Sequence, residues 1–224
     1  MGKSLVETRK TFKKEALFLF SMKILAFADT HLSGPAIKRI LKVTDDADVL
    51  VCAGDISWFG YGLKNILDLF EKELAKKKKH LYIIHGNHED PPTAIEKVTR
   101  KLKWIHFMHT KTLLLDGYRF FFWGGGGFAE QDPLMEKAVE VFKKTLKPGE
   151  KVVLVTHGPA YHTGIDYLGW AGFVGCRSQR KFLNEIKPVL HISGHLHEHM
   201  YEVHEYKKTI LVNAGAAGTV IELP

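Results

Sequence analysis

The chain has 224 residues, of which 45% are hydrophobic and 25% are charged. These values fit an ordinary globular protein with one large domain or two small ones, and they argue against a fibrous or disordered chain. The formal net charge of +7 suits an anionic substrate, although a solvated lysine-rich surface explains it equally well. The lysine run 76–79 lacks interleaved arginine and aromatic residues, so it neither supports nor excludes a nucleic-acid partner.

The first half of the chain alternates between short apolar runs and stretches of helical spacing. Strands are predicted at residues 22–28, 49–53 and 81–84, and helices at 35–43, 63–74 and 93–102. This β-α-β-α-β-α order is typical of a parallel sheet with crossover helices.

The second half has shorter strands and a long loop. Strands are predicted at 104–107, 112–115, 118–123, 152–155 and 189–192, helices at 134–146 and 177–186, and a closing hairpin at 201–206 and 209–212. The loop 158–176 is rich in glycine and aromatic residues. The glycine run 124–127 is interpreted as a turn close to packed backbone rather than a phosphate cradle, because no Gly-Lys-Ser/Thr follows it.

The ends of the chain and its cysteines bear on location. Cys52 and Cys176 have no zinc-ligand spacing and suggest no disulfide framework, which predicts a reducing, cytoplasmic setting. The apolar stretch from Ala16 to Phe20 is too short to span a membrane, and no secretory cleavage site follows it, so no membrane partner is expected. Residues 1–21 are either an added helix over a hydrophobic surface or an over-long start, and residues 22–224 form the expected functional domain.

Five polar segments each end or follow an apolar, strand-like run. They are Asp29-Thr30-His31, Gly54-Asp55, Gly86-Asn87-His88-Glu89, Thr156-His157-Gly158 and Gly194-His195-Leu196-His197. Singly, each has a structural explanation: Asp55 suits a turn or helix N-cap, and Asn87 suits a left-handed turn. Open α/β sheets place their sites at the carboxyl ends of strands, so five metal-competent turns together indicate a metal site. If the backbone stays extended, Asp29 and His31 project to the same side, as do His195 and His197.

As a set, these segments resemble the calcineurin-like metallophosphoesterase family. Its pattern of D-x-H, G-D, G-N-H-[D/E], H and G-H-x-H occurs here in order, from about residue 22 to residue 215. The resemblance implies an α/β fold, a four-layer α/β/β/α sandwich of two mixed sheets flanked by helices. It also implies a metal-dependent phosphoesterase, with hydrolysis by attack of a hydroxide bound to two metal ions and no covalent intermediate.

The resemblance also implies which residues do this work. Asp29, His31, Asp55 and His197 would hold one ion, and Asp55, Asn87, His157 and His195 the other, with Asp55 bridging. His88 would contact the scissile phosphate and protonate the leaving oxygen. Glu89 would either orient His88 or be solvated. Nitrogen and oxygen ligands without thiolate suit two divalent ions, Mn²⁺ being favoured over Fe, Zn²⁺ or Ni²⁺.

Within the family the chain resembles the compact single-domain phosphodiesterase-like branch. Protein Ser/Thr phosphatases carry an Asp-Arg pair and a further Arg where residues 56–60 and 90–92 stand here, so a phosphoprotein substrate is not expected. The expected substrate is a small phosphoester, with a nucleotide as one candidate.

Substrate binding is predicted in the loop 158–177 and at Trp58, Phe59 and Tyr61. The candidate binding residues of the loop are His162, Asp166, Tyr167 and Arg177. The alternative is that the aromatic residues only pack the loop. A second function remains open, a non-catalytic scaffold with the same fold that binds proteins, although such a scaffold can lose the catalytic histidine that His88 represents here.

Overall fold

The computed structural model describes residues 22–224, so both interpretations of residues 1–21 lie outside the described residues. Between these limits the chain forms thirteen β-strands and five α-helices. None of these helices has both the length and the apolar character that a membrane crossing requires.

The first large sheet has five strands. They are β1 (Met22–Phe27), β2 (Val49–Cys52), β3 (Leu81–Ile83), β4 (Ile105–Phe107) and β13 (Thr219–Leu223), and their order in the sheet is β13-β1-β2-β3-β4. Strands β1 to β4 are parallel, whereas β13 pairs antiparallel with β1. The crossovers are α1 (Gly34–Val43), α2 (Leu63–Lys77) and α3 (Thr93–Thr99). The predicted β-α-β-α-β-α order is therefore confirmed.

The second large sheet has six strands. They are β5 (Thr112–Leu115), β6 (Tyr118–Trp123), β7 (Lys151–Thr156), β10 (Leu190–Ser193), β11 (Val203–Tyr206) and β12 (Thr209–Asn213), in the order β11-β12-β10-β7-β6-β5. The four inner strands are parallel, and the two edge strands are antiparallel to their neighbours. Helices α4 (Pro133–Thr145) and α5 (Arg177–Ile186) belong to this half of the chain.

The two sheets pack face to face, and each carries helices on its outer face. Because side chains alternate along a strand, neighbouring residues enter different layers. Val51 of β2 and Phe120 of β6 lie in the buried cluster between the sheets. The next positions, Cys52 and Phe121, face outward into the clusters formed with α1–α3 and with α4 and α5. This confirms the four-layer α/β/β/α sandwich of two mixed sheets.

Two pairings were not predicted from the sequence. Strand β13 closes the edge of the first sheet beside β1, although it lies near the other end of the chain. The long loop contains a small hairpin of β8 (Tyr167–Leu168) and β9 (Gly172–Phe173). Both elements are short, and their register depends on partners that local sequence patterns do not reveal.

Glycines permit the crowded turns that follow the strands. A Cβ atom at Gly86 would collide with the carboxylate of Asp55, and one at Gly194 would collide with the carboxylate of Asp29. A Cβ atom at Gly124 would likewise collide with the ring of His85, which supports the interpretation of the glycine run as a closely packed turn. The carboxyl ends of the strands can therefore approach one another closely enough to form a site.

Candidate metal centre

The five polar segments meet at one centre, with Asp55 in its middle. The Oδ2 atom of Asp55 lies 3.4 Å from Nε2 of His157, 3.7 Å from Nε2 of His88 and 3.9 Å from Nε2 of His31. Beside it, Oδ1 of Asp29 lies 3.8 Å from Nε2 of His197. Side chains that are distant in sequence thus lie close enough together to bind a metal ion.

The two remaining candidate ligands, Asn87 and His195, lie next to His157. The side-chain oxygen of Asn87 is 2.9 Å from Nε2 of His157. The ring of His195 meets the ring of His157 edge-on, with 5.0 Å between the centroids. The structure therefore brings together all seven candidate ligands and His88.

Each carboxylate at the centre has one oxygen fixed by the backbone. Oδ2 of Asp29 accepts a hydrogen bond of 2.8 Å from the N–H of His195, and Oδ1 of Asp55 accepts one of 2.9 Å from the N–H of His88. The second oxygen of each group is the one that lies among the imidazole nitrogens. Both carboxylates are thus held in place by one oxygen and offer the other to a cation.

Backbone carbonyls orient two of the imidazoles. Nδ1 of His157 donates to the carbonyl of Ala53 at 2.9 Å, and Nδ1 of His31 donates to the carbonyl of Ser57 at 3.2 Å. Because a carbonyl oxygen only accepts, these bonds place a proton on Nδ1, and the neutral ring is then the tautomer with its lone pair on Nε2. That tautomer directs the metal-binding nitrogen of each ring toward Asp55.

The backbone at the centre corrects one expectation from the sequence. Asp29, His31, Asp55 and His195 have φ values of 56°, 42°, 53° and 70°, so they are left-handed rather than extended. Strand β1 ends at Phe27 and β10 at Ser193, before their polar segments begin. Asp29 and His31 converge because the chain turns sharply, and so do His195 and His197. The prediction that each pair projects to one side of an extended strand is therefore wrong. Such left-handed non-glycine residues concentrate at functional sites.

The residues present fit divalent metal ions. Among residues 22–224, three groups of side chains have ligand atoms within 4.8 Å of one another: Asp29, His31 and His197; His31, Asp55 and His88; and Asp29, Asp55 and His157. Two buried atoms of the candidate ligands, Asp29 Oδ1 and His195 Nε2, have no hydrogen-bond partner among the described residues. Buried polar atoms are normally paired, so unpaired carboxylate and imidazole atoms at one centre indicate a ligand that accepts lone pairs.

The pKa shifts of the metal-free chain also indicate a site for a cation. Burial alone would raise the pKa of Asp55, but the hydrogen bond and charge of His157 lower it below its ordinary value. Burial alone would lower the pKa of His157, but Asp55 raises it to about 9. Burial lowers the pKa of His195 to about 4, which leaves its imidazole neutral and able to bind a metal. The buried carboxylates therefore draw a proton onto His157, where a bound cation would supply the charge instead.

A family model of the calcineurin-like phosphoesterases matches residues 22–199. The chain belongs to the calcineurin-like phosphoesterase family. It is 28% identical over 217 residues to a UPF0046 protein of Caenorhabditis elegans, in a match that covers 86% of this chain and 69% of that protein.

Solved structures resemble this calcineurin-like phosphoesterase in fold. The protein TT1561 of Thermus thermophilus has a TM-score of 0.70 at 13% identity, covering 89% of this chain and 93% of the other. A dimetal phosphatase from Danio rerio has a TM-score of 0.53 at 10% identity, covering 88% of each chain. At these identities the likeness supports the shared fold alone.

Glu89 of this phosphoesterase neither orients the His88 ring nor lies in solvent. Its side chain is buried and accepts hydrogen bonds from the N–H groups of Asp55, Ser57 and Gly86 and from the hydroxyl of Ser57. Both alternatives considered from the sequence are therefore wrong. Glu89 joins the loop after β2 to the loop after β3, and so fixes the position of Asp55.

The four loop residues predicted to bind substrate contact other groups of the loop and its neighbours. Asp166 is fully buried and accepts hydrogen bonds from the N–H groups of His162, Thr163, Gly164 and Gly175, which gives it a structural role within the loop. The Arg177 guanidinium lies over the ring of Tyr161 at 3.8 Å and bonds to Glu130. The ring of His162 packs against Phe173, and so does that of Tyr167. Their roles in substrate binding stay predictions.

A different set of side chains lines the cavity at the centre. This cavity of about 320 Å³ contains Trp58, which the sequence singled out, and Leu168 and Trp170, which lie in the predicted binding loop but were not named as candidates. It also contains Phe128, which the sequence did not indicate. The signal for Trp170 was available in the run Gly169-Trp170-Ala171-Gly172, where a large aromatic stands among small residues. In the structure the Trp170 side chain is 80% exposed.

Proposed function

We propose that this calcineurin-like phosphoesterase hydrolyses small phosphodiesters at a centre that holds two divalent metal ions. The observation that carries the proposal is the pair of buried carboxylates, Asp29 and Asp55. Each has one oxygen held by a backbone N–H, while the other lies 3.8 Å from His197 or 3.4 Å from His157. Oδ1 of Asp29 has no hydrogen-bond donor among the described residues, and Oδ2 of Asp55 lies among imidazoles. Buried carboxylates need a positive partner, and metal ions would meet that requirement for both groups.

Two ions can be assigned to these residues. In this proposal Asp29, His31, Asp55 and His197 hold one ion, and Asp55, Asn87, His157 and His195 hold the other. The division is supported by one cluster that joins Asp29 to His31 and His197, while another cluster places Asp55 and Asp29 together beside His157. The similar fold of the Danio rerio dimetal phosphatase is consistent with it. Manganese is the ion we expect to support activity, because the donors are imidazole, carboxylate and amide without thiolate.

The charge of the centre suits a phosphoester. When bound, the two ions supply an activated water and Lewis-acid charge for the phosphoryl oxygens. Only two of the proposed ligands, Asp29 and Asp55, are carboxylates, so they do not neutralise two dications. The neutral amide of Asn87 and the imidazoles preserve that excess, which attracts an anionic ester and stabilises the charge that develops on it.

His88 is the residue to which we assign proton transfer. Its Nε2 lies 3.7 Å from Oδ2 of Asp55, and its backbone N–H holds Oδ1 of the same carboxylate. Trp58 and Phe59 lie against the ring, with centroid distances of 4.8 and 4.2 Å, and limit its rotation. An imidazole held at this edge of the centre can donate its Nε2 proton to the oxygen of the leaving group.

Reconstitution with single metals tests the proposed function. Protein stripped with a chelator is reloaded with Mn²⁺, Zn²⁺ or Mg²⁺, and hydrolysis of bis-p-nitrophenyl phosphate is compared with that of p-nitrophenyl phosphate. We expect two Mn²⁺ ions per chain by elemental analysis and a higher kcat/KM for the diester. The variant D55N, purified in the same way, controls for a contaminating phosphatase. Fully loaded protein that hydrolyses neither ester would contradict the function, and a preference for the monoester would contradict the diester assignment.

A further inference from the structure

The cavity at the metal centre has an aromatic rim that hydrolysis of a phosphoester does not by itself require. Apart from His88 and the candidate metal ligands, the side chains that line it between residues 22 and 224 are Trp58, Phe128, Leu168, Trp170, Leu196 and Glu198. Five of these six are apolar, so the part of a substrate beyond the phosphate meets few hydrogen-bonding groups. A polyol ester would find few hydrogen-bonding side chains there, whereas a flat apolar group needs none.

Two of the rim aromatics rest on imidazoles of the centre. Trp58 stacks on His31 with 4.3 Å between centroids and an interplanar angle of 22°, and Phe128 meets His195 edge-on at 4.5 Å. About half of each side chain stays exposed, at 49% for Trp58 and 59% for Phe128. Each ring therefore has one side supported by the centre and surface left over for a ligand.

The Trp170 side chain projects into solvent and does not pack on another ring among residues 22–224. It lies in the turn of the β8–β9 hairpin, is 80% exposed, and within the described part of the chain makes no aromatic or cation–π contact. The hairpin beneath it is well anchored, because the carbonyl and carboxylate of Asp166 accept from the N–H groups of Val174 and Gly175, and His199 bonds to the carbonyl of Tyr167 at 2.8 Å. A large apolar ring held in water on a fixed turn, at the mouth of a cavity, is typical of a ligand contact.

We propose that Trp170 and Trp58 form a stacking subsite for a planar aromatic group carried by the phosphoester, either a nucleobase or an aryl ring. The proposal rests on the proposed function in one respect, since the metal centre is taken as the anchor for the phosphorus group. A cationic centre beside two exposed indoles matches a ligand that joins an anionic group to a flat ring. Stacking of a base on an aromatic side chain contributes roughly 5- to 150-fold in affinity.

Phosphonates test the subsite without turnover, because a carbon–phosphorus bond replaces the scissile ester. Binding of phenylphosphonate, cyclohexylphosphonate and methylphosphonate to the Mn²⁺-loaded full chain is measured by calorimetry. The phenyl and cyclohexyl groups are of similar size, so their ratio isolates flat-ring stacking from general apolar contact. The adenine-bearing 9-(2-phosphonomethoxyethyl)adenine identifies the source of the ring: a larger gain with it assigns a nucleobase, and a larger gain with phenylphosphonate assigns an aryl ester.

Trp170 is the side chain to change, because among the described residues its ring stacks on no imidazole of the centre, whereas that of Trp58 stacks on His31. We expect the native chain to bind phenylphosphonate at least about fivefold more tightly than cyclohexylphosphonate. W170A should lower that ratio below about twofold, and W170F should restore most of it. L134A is the matched control, since Leu134 on α4 is 68% exposed and is not part of the cavity lining.

Equal binding of the phenyl and cyclohexyl compounds by the native chain would overturn the proposal, and so would a preference that survives in W170A. The outcome is separable from that of the proposed function. If the loaded protein hydrolyses no ester but still prefers the phenyl compound through Trp170, the hydrolytic function fails and the stacking subsite stands. If esters are hydrolysed with no phenyl preference, the subsite fails and the function stands.

Discussion

The Oε2 atom of Glu89 accepts a hydrogen bond of 2.9 Å from the backbone N–H of Asp55, a residue 34 positions earlier in the chain. The same carboxylate receives the N–H of Gly86 at 3.1 Å and, through Oε1, the N–H and hydroxyl of Ser57 at 2.9 and 2.6 Å. Glu89 thus supports the loops that carry the metal centre and is not one of the candidate ligands. The left-handed backbone of Asp55 depends on this support, because a non-glycine residue keeps a positive φ only when its surroundings determine it.

Replacing Glu89 with glutamine should destabilise the fold and loosen the centre. Its amide keeps one accepting oxygen but turns an NH₂ group toward backbone N–H donors, so at least one buried donor loses its partner. We expect unfolding in urea to show a loss of about 2–3 kcal/mol and metal affinity to fall by about 10- to 100-fold. The control is E205Q, since Glu205 is exposed on β11 and should change stability by less than about 0.5 kcal/mol. Native-like stability in E89Q would contradict this role.

Asp55 and Asn87 should differ in how many ions their loss affects. Asp55 is the proposed bridge, so D55N should weaken both sites, whereas N87A should weaken only the site that also contains His157. Elemental analysis of protein dialysed against limiting Mn²⁺ measures the difference as ions per chain. D68N is a suitable control because Asp68 lies on α2, where it pairs with the exposed Lys64. Two ions retained in D55N would contradict the bridge.

Much of the fold was predictable because its strands and helices follow from local sequence patterns. The strands and crossover helices of the first half follow from apolar runs and from features such as Ser33, whose hydroxyl caps α1 just before Pro35. The stacking of two sheets came only from the family resemblance, since strand periodicity alone cannot distinguish one sheet from two. Strand β13 was missed because its identity depends on pairing with β1 from the far end of the chain.

The candidate site, like the fold, was predictable from the sequence only in part. The residue types and order of the five motifs indicated the metal centre, but the sharp turns at Asp29 and His195 were not foreseen, because left-handed backbone at these positions is imposed by tertiary contacts. Glu89 could not be assigned because its partners are backbone groups of another loop. The hydrogen bonds that Asp166 accepts from backbone N–H groups of its own loop were likewise not foreseen.

His88 should be needed for turnover but not for metal. Its imidazole is the proposed proton donor to the leaving oxygen, and it is not among the proposed ligands. We expect H88A to keep two ions by elemental analysis while kcat for a poor leaving group falls by about 10²- to 10⁴-fold. A substrate with a p-nitrophenolate leaving group should be less affected, because that anion departs without a proton. Full activity of H88A on both substrates, or loss of an ion, would contradict the assignment.

The stability of the metal-free protein should fall in acid because of His191. This residue is fully buried on β10, its Nε2 lies 2.7 Å from the hydroxyl of Thr156, and burial lowers its pKa to about 3. In the unfolded chain its pKa is about 6.5, so below that pH the unfolded state binds a proton that the folded state excludes. The stability is therefore complete above about pH 6.5 and is lost progressively as the pH falls toward 3.

The variant H191Q isolates this contribution, because its side chain can still donate to Thr156 but does not titrate. Urea unfolding in a chelating buffer at pH 7 and pH 5 gives the free energy of unfolding of both proteins, and the chelator removes any contribution from bound metal. Between these two pH values the native chain should lose about 2 kcal/mol more than H191Q. The difference in slope is what matters, since H191Q also starts from a lower stability through altered packing. Equal losses in the two proteins would mean that His191 is protonated in the folded state, and that its burial does not exclude the charge.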